Sequence, residues 1–155
     1  MRPLMESVLE VFAAKSWAYD RDNHYADALS FTYDFNGIEC PCQCKVFDGR
    51  VFNCICIYPA TIEESRMEAM AELVARLNES LLIGAFRINY NQRLVCFFLS
   101  NSFPSDEGAA EEIATLIECC TRMVEEHRGC LASVMKGDLS PAQAGKLKQL
   151  LVDSQ

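Results

Sequence analysis

The chain has 155 residues, half of them hydrophobic, and a formal net charge of −8. A length of this order sets the expectation of one domain spanning 1–155, burying roughly 70% of its unfolded surface without help from a cofactor. The negative balance argues against phosphate recognition, so nucleic acid is excluded from the expected partners. No apolar run reaches the length of a membrane span. Met1 to Phe12 carries Glu6 and Glu10 within what would be the apolar part of a signal peptide, so it does not read as one. Nine cysteines without an export signal point to a reducing cytoplasm, where thiols behave as small buried hydrophobes, and an odd number cannot pair completely.

In chain order, Leu4, Val8, Leu9, Val11 and Phe12 predict a short amphipathic helix ending before Trp17. Ser16 to Asp27 is polar and reads as a loop. Ala28 to Phe35 then alternates, with Leu29, Phe31, Tyr33 and Phe35 on one side and Ser30, Thr32 and Asp34 on the other. Asn36-Gly37 is a two-residue turn signal, because both residues tolerate positive φ. Asp48-Gly49 repeats the signal between Ile38 to Phe47 and Arg50 to Tyr58. The three strands are expected to form a meander.

With both turns read as two-residue loops, register follows by arithmetic: Phe31 lies opposite Cys42, Tyr33 opposite Cys40 and Cys42 opposite Ile55. The core face then holds Leu29, Phe31, Tyr33, Cys40, Cys42, Cys44, Val46, Val51, Ile55 and Ile57. The reverse face carries Phe52, Cys54, Cys56 and Tyr58 on the third strand. Asn53 falls on the core face in this register, a sign that a bulge shifts the strand by one residue.

Pro59 ends the meander, and Thr61 with Glu64 has the spacing of a capping box. Met67, Met70, Leu73, Val74 and Leu77 recur by three and four, as expected of a helix. The period then drops to two. A hairpin turning at Asn91-Gln92 pairs Phe86 with Phe97 and Ile88 with Val95, leaving Leu94, Cys96 and Phe98 on the far side. Ser105 is the expected cap of a long helix with Ile113, Ile117, Cys120, Val124, His127, Leu131 and Val134 in a heptad-like stripe. Gly137 stops it, and Ser140-Pro141 with Gln143 opens a last helix through Leu147 and Leu150. The expected fold class is therefore α+β: an antiparallel sheet of about five strands with helices mainly on one face.

Arg66, Asn78, the Gly84-x-Phe86 step and the ending Gly137-Asp138-Leu139-Ser140-Pro141 resemble the YbjN-like family, which has the fold of type III secretion chaperones. The resemblance runs from the first helix to about Ala144. It implies a bacterial protein that tends to dimerise and has no established catalytic site, of a kind described as sensory-transduction regulators or chaperone-like proteins. The chain departs from the family's pattern at Arg87 and Asn89, where acidic residues are common, at Asn91-Gln92 in place of an Asp-Gly type turn, and at His127-Arg128-Gly129.

Chemistry has few candidates. Cys40, Cys42 and Cys44 with Cys54 and Cys56 suggest a thiol-based metal or redox sensor. Structural zinc sites use knuckles of C-x2-C spacing, absent here, and thiols two apart on a strand stand about 7 Å from each other. Only a bulge would bring Cys42 and Cys44 over the partner strand's thiols. Packed cysteines are the simpler reading, and no metal or cofactor is expected. Of the two histidines, His24 lies in a loop and His127 on an apolar stripe, where a structural imidazole is expected. Glu111, Glu112, Glu118, Glu125 and Glu126 read as a solvated helix face, and Arg66 and Arg76 as surface charges.

The residues left over are apolar. Phe52, Cys54, Tyr58, Leu94 and Phe98 are expected on the face away from the helices, in a patch larger than monomers usually leave wet. The expected function is a non-catalytic protein-binding module, chaperone-like or a regulatory adaptor, acting as a homodimer on a protein partner. The alternative is a thiol sensor or small enzyme built on the cysteine-rich hairpin. A further alternative is that the patch is roofed by the last helix or by Ser16 to Asp27.

Overall fold

Alternating polarity and turn glycines in the first half of the chain, and helical periodicity in the second, are both realised in three dimensions. The computed structural model describes residues 1–153. Its elements are α1 (Leu4–Lys15), β1 (Asp20–Arg21), β2 (Ala28–Phe35), β3 (Ile38–Phe47), β4 (Val51–Ile57), a 3-10 turn (Glu64–Arg66), α2 (Met67–Asn78), β5 (Ala85–Asn89), β6 (Leu94–Ser102), α3 (Ala109–Lys136) and α4 (Pro141–Asp153). One antiparallel sheet has the order β1-β2-β3-β4-β6-β5. It has six strands rather than about five, because β1 is only two residues long, too short to show a period.

The β2–β3 hairpin has the expected register. Asn36 and Gly37 take φ of 53° and 83°, and Phe35 faces Ile38 across a two-residue turn. The next turn differs. Asp48 and Gly49 also take positive φ, and the Arg50 N–H donates to the Phe47 carbonyl at 3.1 Å, but the ladder resumes with Phe47 opposite Val51. Arg50 is thus an extra residue, and Cys42 lies opposite Cys56 instead of Ile55. A shift of one residue turns every side chain of β4 over.

Distant partners hold Arg50 in that turn. Its side chain donates from Nε to the Phe103 carbonyl at 2.6 Å, from Nη1 to the Arg2 carbonyl at 3.1 Å and from Nη2 to Asp106 at 3.1 Å. The Phe103 N–H in turn donates to the Arg50 carbonyl at 2.8 Å. Charge-assisted bonds of this kind outweigh the preference of the local sequence for a tight turn.

All four helices lie on one side of the sheet. The stripe of α3 is buried from Ile113 to Val134 and packs on β4 and β6, where the Cys120 thiol approaches the Cys54 and Phe97 carbonyls at 3.6 and 3.5 Å. On its flanks, α2 packs on α3 and β5, α1 on α3, and α4 on α2 and α3. Leu147 of α4 is half exposed, and Leu150 lies outside the residues whose side chains are described.

The ends of the elements differ from simple capping rules. The Ser140 and Gln143 box forms, with reciprocal bonds of 2.9 and 3.1 Å. No side-chain bond caps the 3-10 turn, so the Thr61 and Glu64 box does not. Ser105 Oγ accepts from the Glu107 N–H at 3.1 Å, yet α3 begins only at Ala109, after Gly108. Asp106 is engaged by Arg50 and the Arg2 N–H instead. Arg66 is not a free surface charge. Its Nε and Nη2 donate to the Val134 carbonyl at 3.0 and 2.7 Å, beside the left-handed Gly137, and so satisfy the C-terminus of α3.

At the β5 edge, Asn78 does the work of a neighbouring strand. Its amide donates to the Phe86 carbonyl at 2.9 Å and accepts from the Phe86 N–H at 2.8 Å. Just before β5, Gly84 has a φ of 72°, and a Cβ there would lie 2.6 Å from the Phe97 ring. No other residue fits that step without displacing the ring.

Candidate functional site

The face opposite the helices is assembled from alternate residues of β3, β4, β6 and β5. In one cross-strand row Gln43, Ile55, Phe98 and Ala85 stand side by side, and in the next Ile57, Cys96 and Arg87. Leu94 continues the strip on β6. Ile55, Ile57, Leu94 and Phe98 are half-buried, and the first three, with Pro41, Gln43 and Arg87, bound a concavity of about 560 Å³. Arg87 stacks over Phe98, its guanidinium carbon 4.4 Å from the ring centre, so the strip presents one cation on an apolar floor.

This corrects the expected patch. Leu94 and Phe98 lie on the outer face, whereas Phe52 and Cys54 do not. Both are fully buried beneath the helices, because the extra residue at Arg50 inverts β4. Tyr58 follows the same inversion and packs against the core. Ile55 and Ile57, read as core, take the outer places. The adjacency of β4 and β6, on which the patch depended, is present in the sheet.

Nothing described from the chain roofs the strip. α4 sits on the helix side, against α2 and α3. The loop before β2 reaches only the far end of the face, where Asp22 accepts from the His24 and Tyr25 N–H groups at 2.7 and 2.9 Å and Tyr25 lies under Lys45. Ala28 is buried there, well away from β4 and β6.

The inversion also brings the cysteines together. Cys42 faces Cys56 and Cys44 faces Cys54 on the helix side, with Cys120 above them. Among the described residues no group of three or more such side chains is arranged to hold a metal ion. Hydrogen bonding to a neighbouring thiol and burial push Cys40 and Cys120 up from the ordinary thiol value, and Cys54 and Cys56 also lie above it. They stay protonated at neutral pH and out of reach of solvent, whereas thiol chemistry needs an accessible thiolate.

The other candidates are structural. His127 is buried, with Nδ1 2.8 Å from the Met123 carbonyl and its ring edge-on to Phe86, and burial lowers its pKa so that the imidazole is neutral. Glu112 accepts from Asn101, Glu118 pairs with Lys15 and Glu126 with Arg122, all at the surface. Arg76 pairs with Glu72 at 3.0 Å one turn away. No described helix is long and apolar enough to cross a membrane.

No family model and no curated protein matches the sequence. Among solved structures, the chain is similar to the crystal structure of YbjN from E. coli, described as a candidate transcription regulator. The likeness covers 81% of this chain and 91% of that one, with a TM-score of 0.56 and 12% sequence identity. The element order, the one-sided helices and this superposition together give the chain a YbjN-like α+β fold.

Proposed function

We propose that the chain is a non-catalytic protein-binding module of the cytoplasm, a chaperone-like or regulatory adaptor that works as a homodimer. The observation that carries this reading is the half-buried strip of Ile55, Ile57, Leu94 and Phe98 at the centre of a sheet whose other face carries the helices. Burying a large apolar side chain contributes about 1.5 to 3 kcal/mol before the costs of association, so a second copy laid on this strip gains from each of the four. The net charge of −8 speaks against a nucleic-acid partner, even though YbjN is described as a candidate transcription regulator. Arg87 at the rim suits a partner surface with a carboxylate beside an apolar segment.

The test is solution mass over a concentration series, for the wild-type chain and for Phe98→Asp. A dimer that reverts to monomer in the variant, with unchanged circular dichroism, supports the proposal. A wild-type chain that stays monomeric at high concentration and recovers no partner sinks it.

A further inference from the structure

On the helix side the cover is incomplete. α3 lies over β4 and β6, and between it, β2 and the segment following α1 there remains a cleft of about 730 Å³. That volume is in the range of small-molecule sites.

Its walls are aromatic. The buried Phe12 ring makes edge contacts with Trp17, Tyr19 and Phe31 at centroid distances of 5.5, 5.4 and 5.2 Å, and those three rings with Tyr33 line the cleft. Three carboxylates also line it, Asp20, Glu118 and Glu125, against one cation, Arg122. Arg122 is engaged by Glu126 at 3.6 Å, and Glu118 by Lys15 at 3.4 Å, which leaves Asp20 and Glu125 as the charges without a cationic partner among the described residues.

Glu125 is held in place. The Tyr33 hydroxyl donates to one of its oxygens, and no described side chain donates to the other. That bond, with burial, pushes the Tyr33 phenol up to about 12, so Tyr33 remains the donor throughout the physiological range. Aromatic faces attract cations, and an anion entering here would meet two like charges. A neutral apolar ligand would strip water from the carboxylates with nothing in exchange.

We infer that this cleft binds a small organic cation, an alkylammonium or quaternary ammonium group seated among Trp17, Tyr19, Phe31 and Tyr33 with its charge beside Glu125. It lies on the other side of the sheet from Phe98 and is independent of the docking strip.

The chain's single tryptophan is Trp17, so the cleft reports on itself. Benzyltrimethylammonium is titrated into the full chain by tryptophan fluorescence and by calorimetry, with benzyl alcohol and benzenesulfonate in parallel. The cation is expected to bind saturably, at least about tenfold more tightly than the alcohol, and the sulfonate not at all. Glu125→Gln keeps an acceptor for Tyr33 and should weaken the cation about fivefold while leaving the alcohol unchanged. Should that variant lose its circular dichroism, Asp20→Asn on the exposed β1 makes the same comparison. A Gly-trimethyllysine-Gly peptide distinguishes a side-chain source from a free ammonium ion, according to which binds more tightly. Equal affinity for cation and alcohol, preference for the sulfonate, or no saturation by roughly 50 mM overturns the inference.

Discussion

Phe52, Phe97 and Leu99 on one face of the sheet are at most 1% exposed, while Ile55, Leu94 and Phe98, in the same two strands, remain half-open to solvent. The two sets are chemically alike. They differ in parity along the strand, and hence in whether α3 lies over them. Beneath α3 the apolar side chains hold the fold together, whereas on the open face a change of side chain leaves that packing intact.

The sharpest way to break this contrast is to place a carboxylate on each face in turn. Phe52→Asp buries an unpaired charge in a fully covered site and should cost about 4 kcal/mol or more, enough to unfold the chain. At a protein concentration low enough that both chains are monomeric, Phe98→Asp should cost less than about 1 kcal/mol in the same denaturant titration, because its carboxylate reaches water and Arg87. Comparable losses in the two variants would mean that the outer face is not open.

Arg50→Ala asks what decides which residues of β4 belong to which face. The variant loses charge-assisted bonds to Phe103 and Asp106, with an expected cost of about 2 kcal/mol. A loss below roughly 0.5 kcal/mol would show that the sheet holds its register without this anchor.

The thiols buried under the helices also predict a pH dependence. Cys40, Cys54, Cys56 and Cys120 have raised pKa values in the fold and titrate near their ordinary value of 9.0 when unfolded. The folded state therefore retains protons that the unfolded state releases, so stability is fully present below about pH 8 and falls as the pH rises through 9 and beyond. Tyr33, shifted from 10.0 to about 12, adds a decline between those values. Denaturation midpoints at neutral and alkaline pH check the sign. The smallest effect is one of access: a thiol reagent should label half-buried Cys119 and Cys130 in the native state, and the fully covered Cys40, Cys44, Cys54, Cys56 and Cys120 only on unfolding.

Much of this architecture was legible because it is written locally. The Asn36-Gly37 turn, the Phe86 and Phe97 pairing and the α3 stripe follow from neighbours in sequence, and the structure reproduces them. Asp48-Gly49 looks like Asn36-Gly37 and behaves differently, because Arg50 is held by groups about fifty positions away. No period encodes that attraction, although the misplaced Asn53 signalled it. Asn53 in fact sits on the outer side, its amide donating to the Leu99 carbonyl at 3.1 Å and to Ser100 Oγ at 2.9 Å. Leu94 and Phe98 could be found on the hairpin alone, while Ile55 and Ile57 depended on the register. The aromatic cleft had no local signature, since it draws on the end of α1, β2 and α3 at once.

Asn78 has a consequence beyond the fold of a single copy. An incoming strand adding to β5 would have to displace the amide that already holds both backbone groups of Phe86, and at the opposite margin β1 offers only two residues. Sideways growth into a continuous ribbon is disfavoured at both ends.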